Sequence, residues 1–477
     1  MSASRTYSFS CFITLLALLV STSSSSSATY YVATNGLDSN SGLATNLAWK
    51  TLAYATAHAT NAGNTVLVSR GVYNQQVWMK QTNSAGQPIT LMAYPGEHPV
   101  INLGGITPVD GKGAANWFAG VVTLSGNYNV IDGFEIENGN FNSPVGFGGS
   151  DVLVSGNNNI VRNCVVHNSQ DAGIPVLGSY NLVESNQVYD TCLNHYHNLI
   201  NGGSSDWGSG IPIHGYKNGS NFLTGNIIRG NTVHDNWGEG IYGYYGVSNT
   251  IVTGNTVYNC WTLNIGLANS YSGIISNNLS YYASVPIYMS GGATIVINID
   301  GDTNDPGPIN NLVVNNFAYG EPIIIQTYTS TLKGFTNTYV FFNTVVNTNG
   351  MAFEVGSTQI GLVIRNNIFD GTGSNSYYSA VAQADHNYWI TRPRRADNTG
   401  YSNLSIPGTN DIFGEASAHM AQTPGMPLPG QLTREWFTLL TNSPAISNGV
   451  YLASVPTDAF GTVRGNPPDI GAYEATP

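Results

Sequence analysis

The sequence predicts an all-β protein, a single-stranded parallel β-helix of about ten coils with a short N-terminal capping helix. Its composition is unlike that of a helical bundle, since only 9% of the 477 residues are charged whereas 55 are glycine and 28 are tyrosine. A short asparagine-led motif recurs along the centre of the chain with a period of about 23 residues. A second short strand with alternating apolar residues follows most copies. Strands of this length cannot bury their apolar faces alone, so successive copies have to stack.

Charge and hydrophobicity exclude several other classes of protein. The net charge of −12 argues against nucleic-acid binding, which needs a basic surface. Hydrophobic residues make up 42% of the chain and aromatic residues 11%, which is too much for a disordered protein. We therefore expect a large buried core.

The first 28 residues are predicted to be a secretory signal peptide. Arg5 supplies a positive charge, residues 12–20 are apolar, and residues 21–28 are small. The apolar run is too short to span a bilayer, which takes about 20 residues. We expect a secreted protein, extracellular or periplasmic, with no membrane span once the signal is removed.

The central repeat places an apolar residue two positions after each leading asparagine. The leading residues are Asn163, Asn186, Asn231, Asn255, Asn277, Asn315, Asn343 and Asn366. The shortest gaps between them are 22 to 24 residues. The gap of 45 residues after Asn186 is interpreted as two coils, with Ile211 and Ile213 on the intervening strand. The asparagines are suited to αL turns and to stacking as a side-chain amide ladder.

The chain divides into four parts on this basis. After the signal at 1–28, residues 29–125 form an N-terminal cap and the first coils, and their alanine-rich stretch favours a helix. Residues 126–370 carry the central repeats. Residues 371–477 are expected to be an irregular segment that closes the helix.

Three cysteines remain outside the signal, namely Cys164, Cys192 and Cys260. In the repeat register Cys192 and Cys260 share nearly the same column but lie about three coils apart, or roughly 14 Å. A disulfide needs Cα atoms within about 7 Å. The sequence therefore predicts buried free thiols.

Both ends of the chain carry motifs that resemble a known group of proteins. These are YYVATNGLDSNSG (30–42), NTVLVSRGVY (64–73), QPITLMAYPG (87–96), SPAI (443–446), DAFGTVR (458–464) and DIGAYE (469–474). They are similar to segments of secreted right-handed parallel β-helix proteins of the pectate-lyase-like superfamily, especially relatives of polysaccharide lyase family 9. The resemblance implies a right-handed helix whose first coil is capped by a short helix.

The resemblance does not identify catalytic residues in this sequence. Family-9 lyases bind calcium through an aspartate cluster with adjacent aspartates and use a lysine base, but this sequence has no Asp-Asp pair. The Arg-Ile-Lys motif of polygalacturonase-type hydrolases and the Asp-Pro-His-Glu motif of mannuronan epimerases are also absent from the sequence. Candidate site residues must come from the repeat register.

Strand alternation places a set of aromatic side chains on the outside of neighbouring coils. His214, Tyr242, Tyr244 and Tyr288 are predicted to point outward from these strands. Trp207, Trp237 and Trp261 each lie four residues before an inward-facing isoleucine and are predicted to line one side of the same strip. Aromatic rings stack on the apolar faces of sugars. The alternative interpretation is that the three tryptophans cover a turn.

An insertion at 190–205 follows the coil before this strip and is predicted to wall it off. It contains His195, Tyr196 and His197. The two histidines have the spacing of metal ligands but lack an evident third partner, so a plain loop is the preferred interpretation.

A β-elimination needs a base, neutralisation of the substrate carboxylate and an acid for the leaving oxygen. Lys217 or His214 is the candidate base, and Tyr242 or Tyr244 the candidate acid. Arg229 is a candidate for substrate binding.

Carboxylates near the strip suggest a bound cation. Glu239, Asp206 and Asp171 are the candidate ligands for Ca²⁺, which takes oxygen ligands. An inverting hydrolase would instead need two carboxyl groups about 6.5–9.5 Å apart, for which Asp206 and Glu239 are the best pair.

Basic residues are scarce in the central coils. Between Arg162 and Lys333 only Lys217 and Arg229 are basic, so an anionic substrate has to be held by a metal or by these two. The preferred function is a polysaccharide lyase acting on a uronate-containing polysaccharide. The alternatives are an inverting glycoside hydrolase and a non-catalytic glycan-binding or adhesin-like rod. We expect a monomer whose partner is the polysaccharide.

Overall fold

A computed structural model describes most of the chain after the predicted signal peptide, which lies outside the described residues. The described residues are 27–104, 106, 108–109, 119–138, 149–201, 208–215, 222–283, 292–299, 307–327, 335–348, 350–355, 359–371, 377–379, 383–391, 393–397, 400–405, 408–413, 418, 420 and 428–475.

Three long parallel sheets run along the molecule, and each turn of the chain adds a strand to them in succession. The first sheet has thirteen strands: Thr29–Val32, Thr65–Val68, Ile89–Ala93, Asn129–Asp132, Ile160–Arg162, Leu182–Glu184, Ile227–Arg229, Ile251–Thr253, Ile274–Ser276, Leu312–Val314, Tyr339–Phe341, Val363–Arg365 and Gln383–Asp385. The second also has thirteen: Gly71–Tyr73, Pro99–Asn102, Glu135–Glu137, Val165–His167, Gln187–Tyr189, Thr232–His234, Thr256–Tyr258, Leu279–Tyr281, Phe317–Tyr319, Thr344–Asn347, Ile368–Gly371, Tyr388–Trp389 and Ile412–Phe413.

The third sheet comes in two parts. The first part has the strands Val77–Met79, Gly120–Leu124 and Ser150–Val154. The second part has the strands Ser209–His214, Glu239–Tyr244, Leu263–Ala268, Ala293–Ile299, Ile323–Thr327 and Phe353–Val355. Single parallel bridges from Val154 to Val176 and from Val176 to Ile213 join the two parts. Together the three sheets form the parallel β-helix that the repeats predict.

Smaller elements complete the fold. Two-stranded pairs join Leu223–Thr224 to Val247–Ser248 and Phe335–Thr336 to Gln359–Ile360, and a small mixed sheet contains Tyr377–Ser379, Arg394–Asp397 and Gly400–Ser405. The helices are α1 (Leu52–His58) and α2 (Leu193–Asn201), with 3-10 turns at Thr45–Leu47 and Arg434–Phe437.

Helix α1 is the predicted N-terminal cap. It begins after Thr51, whose hydroxyl accepts a hydrogen bond from the backbone N–H of Tyr54 at 3.1 Å and so satisfies one open donor of the first turn. Leu52 and Ala55 are buried and belong to the main core. The helix therefore covers the open end of the apolar interior.

Strand pairing runs further than the central repeats predict. Thirteen strands in each of two sheets exceed the expected ten coils, because the N-terminal segment and the segment after 371 also supply paired strands. Gln383–Asp385 and Tyr388–Trp389 extend the first and second sheets past the expected boundary at 370. Regular coils therefore continue into the part predicted to be irregular.

The 45-residue gap is one coil and not the predicted two. Gln187 pairs directly with Thr232 in the second sheet, and Leu182 pairs with Ile227 in the first. The additional length goes into an insertion that contains α2. The prediction was wrong because the alternating Ile211 and Ile213 belong to the third-sheet strand of this same coil.

Inward-facing aliphatic side chains form the core as columns of like residues. One column in the first sheet pairs Val161, Val183, Ile228, Val252, Ile275, Val313, Val340 and Ile364 in register, each with no exposed surface. Neighbouring strands lie about 4.8 Å apart, so each side chain contacts its equivalents in the adjacent coils. Burial of each side chain contributes roughly 1.5–3 kcal/mol.

An asparagine ladder lies at the corner between the first and second sheets. The backbone N–H of each ladder residue donates to the side-chain oxygen of the next at 2.9–3.0 Å, except the last, where the distance is 2.7 Å. The ladder contains Asn186, Asn231, Asn255, Asn278, Asn316, Asn343, Asn367 and Asn387, and ends at Asp411. Buried amides thus satisfy a backbone donor in every coil.

The residue before each ladder position makes the tight turn between the sheets. Asn277, Asn315 and Asn366 all have φ between 54° and 57°, the αL region that asparagine tolerates. The predicted leading residue in each of these Asn-Asn pairs is therefore the turn residue, and the ladder uses the asparagine after it. We predicted that one asparagine forms both the turn and the ladder, whereas the structure assigns these two roles to two consecutive residues.

The three described cysteines are buried free thiols, as predicted. Cys192 and Cys260 follow the strands Gln187–Tyr189 and Thr256–Tyr258, with the strand Thr232–His234 between these two. The two thiols are thus two coils apart and not three, because the 45-residue gap is a single coil.

The end of the chain packs along the corner that carries the αL asparagines. The side chain of Asn315 donates to the carbonyl of Thr457, and that of Asn366 donates to the carbonyl of Val450. The guanidinium of Arg464 is buried, donates to Oδ1 of Asn315 at 2.9 Å and lies 3.3 Å from Glu474. Burial lowers the pKa of Arg464 to about 10, so it keeps its charge at neutral pH. This segment ties separate coils together.

In the part of the chain that the structure describes, no helix has the length and apolar character needed to cross a membrane.

We expect Asn255→Ala to lower the free energy of unfolding by about 3 kcal/mol, because it leaves the buried N–H and side-chain amide of Asn231 without their shared acceptor. Chemical denaturation followed by circular dichroism measures this. The exposed Asn448→Ala is the matched control and is expected to change stability by less than about 0.5 kcal/mol. Equal losses in both variants would show that the ladder bonds contribute little.

Candidate functional site

The outer surface of the second part of the third sheet carries three of the predicted site residues, His214, Tyr242 and Tyr244. We call it the third-sheet face, defined by the outward side chains of His214, Tyr242, Tyr244, Asn298 and Glu354. In register, His214 pairs with Tyr244, and Pro212 pairs with Tyr242 on the next strand. Consecutive coils therefore bring these side chains together, as the alternation predicts.

Glu239, Ser209 and Tyr244 form a closed hydrogen-bonded group at one edge of this face. The hydroxyls of Tyr244 and Ser209 both donate to Oε2 of Glu239, at 2.8 and 2.9 Å, and the two hydroxyls are 3.0 Å apart. Glu239 is only 3% exposed. Burial, followed by the charge of Glu239, raises the pKa of Tyr244 well above its usual value. Tyr244 therefore keeps its proton and directs it at the carboxylate.

His214 lies beside this group at the end of its strand and is half-buried. Its ring centroid is 5.6 Å from that of Tyr244 and 5.9 Å from that of Tyr245. An imidazole in this position is next to a phenol that holds a proton. The pair can both accept and supply a proton on one surface.

Tyr242 points outward as predicted but is only 2% exposed. Its ring lies over Gly266, where a Cβ would come within 2.6 Å of the ring carbons, and its hydroxyl is 2.7–3.0 Å from the amide of Asn298. It belongs to an apolar cluster on the outside of the sheet with Leu263, Ala268, Ala293, Val296 and Ile324. Tyr242 is therefore a packed residue in this state, because apolar neighbours cover it.

Helix α2 packs against two of the predicted tryptophans. His195 contacts Trp261 with ring centroids 4.2 Å apart, and Tyr196 contacts Trp237 at 4.3 Å. Trp261 is only 9% exposed, so little of its ring is open to a sugar. The insertion that carries α2 thus covers this side of the strip, and Trp261 fits the interpretation of a tryptophan that covers a turn.

Two of the three predicted calcium ligands, Glu239 and Asp171, are described, and each has other close neighbours. A Cβ on Gly208 would lie 2.8 Å from Sγ of Cys192 and 3.0 Å from Oδ1 of Asp171, so this carboxylate is close to a thiol. One oxygen of Glu239 already accepts two hydroxyl hydrogen bonds. Calcium takes six to eight oxygen ligands, and sulfur is a poor substitute. The third predicted ligand, Asp206, lies outside the described residues.

Lys217, Trp207 and Tyr288 also lie outside the described residues, and their predicted roles stay predictions. Arg229 does not join the third-sheet face. It ends a strand of the first sheet and forms an ion pair with Glu184, with Nη2 and Oε2 at 2.6 Å. The prediction rested on the charge of Arg229 alone. Its position at the end of a first-sheet strand places it on another surface.

Two carboxyl groups that the sequence analysis missed lie near this face. Glu354 shares a register row with Ile324 in the third sheet, and Glu321 comes just before the strand that contains Ile324. Burial raises the pKa of Glu321 to about 7 and also raises that of Glu354. Glu354 could have been found from the sequence, because it stands between the inward-facing Phe353 and Val355.

Comparisons with known proteins agree with this architecture. The sequence model of the family described as "Pel9A-like, right handed beta helix region" matches residues 30–278. No curated protein matches the chain in sequence.

Solved structures share the fold at low sequence identity. A structure titled "Crystal structure of pectate lyase Pel9A" has a TM-score of 0.55 at 17% identity and covers 95% of this chain and 97% of its own. A structure of XylC with xylose has a TM-score of 0.59 at 12% identity, with coverage of 94% and 98%. PfbA, a surface adhesin of Streptococcus pneumoniae, has a TM-score of 0.50 at 11% identity, with coverage of 76% and 85%.

We expect His195 to make the protein sensitive to acid. Burial lowers the pKa of His195 to about 4, so the unfolded chain binds its proton more readily than the folded one. Stability should fall by on the order of 1–2 kcal/mol as the pH drops from about 6.5 towards 4. Denaturation midpoints across this range should fall less steeply for His195→Gln than for the wild type. The exposed His98→Gln is the control, and an unchanged slope in His195→Gln would contradict the prediction.

Proposed function

The chain belongs to the family of Pel9A-like right-handed β-helix proteins, and on that premise we propose that it is a secreted polysaccharide lyase. It would cleave a uronate-containing polysaccharide by β-elimination at the third-sheet face. The placement of His214 beside Tyr244, a tyrosine that keeps its proton, is the observation that carries this proposal.

In the proposed reaction His214 takes the proton from C5 of the uronate, next to the carboxyl group. The electrons of that bond form the C4–C5 double bond, and the bond from C4 to the bridging oxygen breaks. Tyr244 gives its proton to the departing oxygen, which leaves as a hydroxyl group. Before the reaction the hydroxyl of Tyr244 donates to Glu239, which keeps it in position.

A uronate carboxylate has to be neutralised before its C5 proton can be removed. Calcium bound to the substrate supplies that charge in the family-9 lyases that this chain resembles. In the proposed reaction this charge comes from a calcium ion or from Lys217, the two sources that the sequence predicts near this face. The test below therefore compares activity with added calcium and with chelator.

An inverting glycoside hydrolase is the second candidate. Its supporting observation is Glu321, whose pKa is raised by burial to about 7, so that it stays partly protonated at neutral pH. A general acid in such an enzyme needs a raised pKa of this kind. Glu354 on the next coil is the candidate partner. The scarcity of basic residues favours a neutral glycan for this reaction.

The test is incubation of the purified protein with pectate, alginate and xylan, each with added calcium and with chelator. Unsaturated, UV-absorbing ends from a uronate polymer are the expected product and support the lyase. Saturated reducing ends support the hydrolase. Retention on a polymer without cleavage would instead indicate a glycan-binding rod, and the lyase proposal fails if no uronate polymer gives an unsaturated product under either condition.

We expect His214→Ala to lower kcat by about 10²–10⁴-fold, which is the usual contribution of general acid–base catalysis. Tyr244→Phe should lower kcat by a similar factor and leave KM nearly unchanged. The exposed Tyr180→Phe is the matched control and should retain full activity. Full activity in His214→Ala would rule out the proposed base, and loss of saturated ends in Glu321→Gln alone would point to the hydrolase.

A further inference from the structure

A histidine and two glutamates meet on the outer surface of the second sheet, a different sheet from the proposed catalytic face. Glu135 and Glu137 lie on one strand, and His167 lies on the next strand opposite Glu137. One ligand atom from each of the three residues lies within 4.8 Å of the other two. Among the residues that the structure describes, this is the only such group of three or more histidine, cysteine, aspartate or glutamate side chains.

The histidine ring directs both of its nitrogens at carboxylates. Nε2 of His167 is 3.3 Å from Oε1 of Glu135, and Nδ1 is 3.7 Å from Oε2 of Glu137. A neutral imidazole carries a proton on only one nitrogen. The lone pair of the other nitrogen would therefore point at a lone pair of a carboxylate oxygen. That repulsion is relieved by a cation, which is either a second proton on the ring or a metal ion.

Stacking fixes the orientation of this ring. His167 begins an aromatic column on the outside of the second sheet, in which it lies parallel to Tyr189 with centroids 4.9 Å apart and planes 7° apart. The column continues through His234, Tyr258 and Tyr281, with centroids 4.8–5.1 Å apart. His167 is only 8% exposed. Stacking therefore fixes the plane of the ring and keeps its nitrogens at the edge of the stack, where the carboxylates lie.

Two amides orient one of the carboxylates. The side chain of Asn102 donates to Oε1 of Glu137 at 2.7 Å, and that of Asn168 donates to Oε2 at 3.4 Å. Amide or backbone donors that hold a carboxylate in this way commonly stand behind metal ligands.

The geometry points to a site for a divalent transition metal, and we propose that Glu135, Glu137 and His167 bind Zn²⁺ with one coordination position left to water. One imidazole nitrogen with two carboxylates suits zinc, which takes nitrogen and oxygen ligands at about 2.0–2.2 Å. In tetrahedral geometry those bond lengths separate neighbouring ligand atoms by about 3.3–3.5 Å. The ligand atoms of the cluster lie within 4.8 Å of one another, so zinc bound to one ring nitrogen would draw the more distant carboxylate closer to that nitrogen. Calcium is disfavoured, because it prefers oxygen ligands only.

A metal at this point joins two successive coils of the second sheet. It stabilises the folded state by mass action and takes no part in the proposed lyase or hydrolase reaction. Zinc binding and catalysis can therefore succeed or fail independently.

The test uses the full-length mature protein stripped of metal by chelation and dialysis. Titration with ZnCl₂ in a calorimeter, with metal content measured after gel filtration, is expected to give one equivalent of zinc per chain. Zinc should also raise the thermal unfolding midpoint, whereas CaCl₂ at the same concentration should not. Absence of zinc binding, or stronger binding of calcium than of zinc, would overturn the proposal.

Variants assign the ligands. We expect His167→Ala, and separately Glu135→Gln, to weaken zinc binding more than about tenfold, and Asn102→Ala to weaken it about tenfold as a supporting residue. His234→Ala is the matched control, since His234 lies in the same aromatic column but outside the cluster. Circular dichroism checks that each variant is folded. Unchanged zinc affinity in the folded Glu135→Gln variant would show that Glu135 is not a zinc ligand and would overturn the proposed site.

Discussion

One backbone donor, repeated at the same corner of eight successive coils, is the constraint on which the central fold depends. Where the chain turns from the first sheet to the second, a buried N–H falls outside the sheet hydrogen bonds and would be costly if unpaired. The ladder asparagines satisfy it, and each also donates to a carbonyl of the preceding coil. A side chain with both an acceptor and a donor is needed there, and asparagine supplies both without a charge.

Regular features were predictable from the sequence because each coil repeats the same pattern of strands and turns. The period, the inward aliphatic columns and the buried free thiols all follow from spacing. Predictions failed where one sequence pattern is compatible with two different local structures. Ile211 and Ile213 alternate equally well on a coil of their own or on the third strand of a long coil. Asn277 and Asn278 are chemically identical, and only the backbone angle separates turn from ladder.

The candidate site was harder to predict because strand alternation gives the direction of a side chain but not what covers it. Tyr242 and Tyr244 both point outward, yet Tyr242 is packed beneath apolar neighbours and Tyr244 is bound to a buried carboxylate. That covering comes from residues distant in sequence, such as Asn298, and from the helix inserted after Cys192. The carboxylates opposite His167 are equally remote from it, since they come from the preceding coil.

The C-terminal segment changes how cooperatively the rod can unfold. In a solenoid each coil touches only its neighbours, so an end coil can fray without disturbing the rest. Here residues 450–464 bind Asn315 and Asn366, which are two coils apart, and also pack on Phe342 in the coil between them. Peeling away the last coils would require this strap to detach first. The coils that this segment joins should therefore unfold together, whereas coils elsewhere are held only by their neighbours.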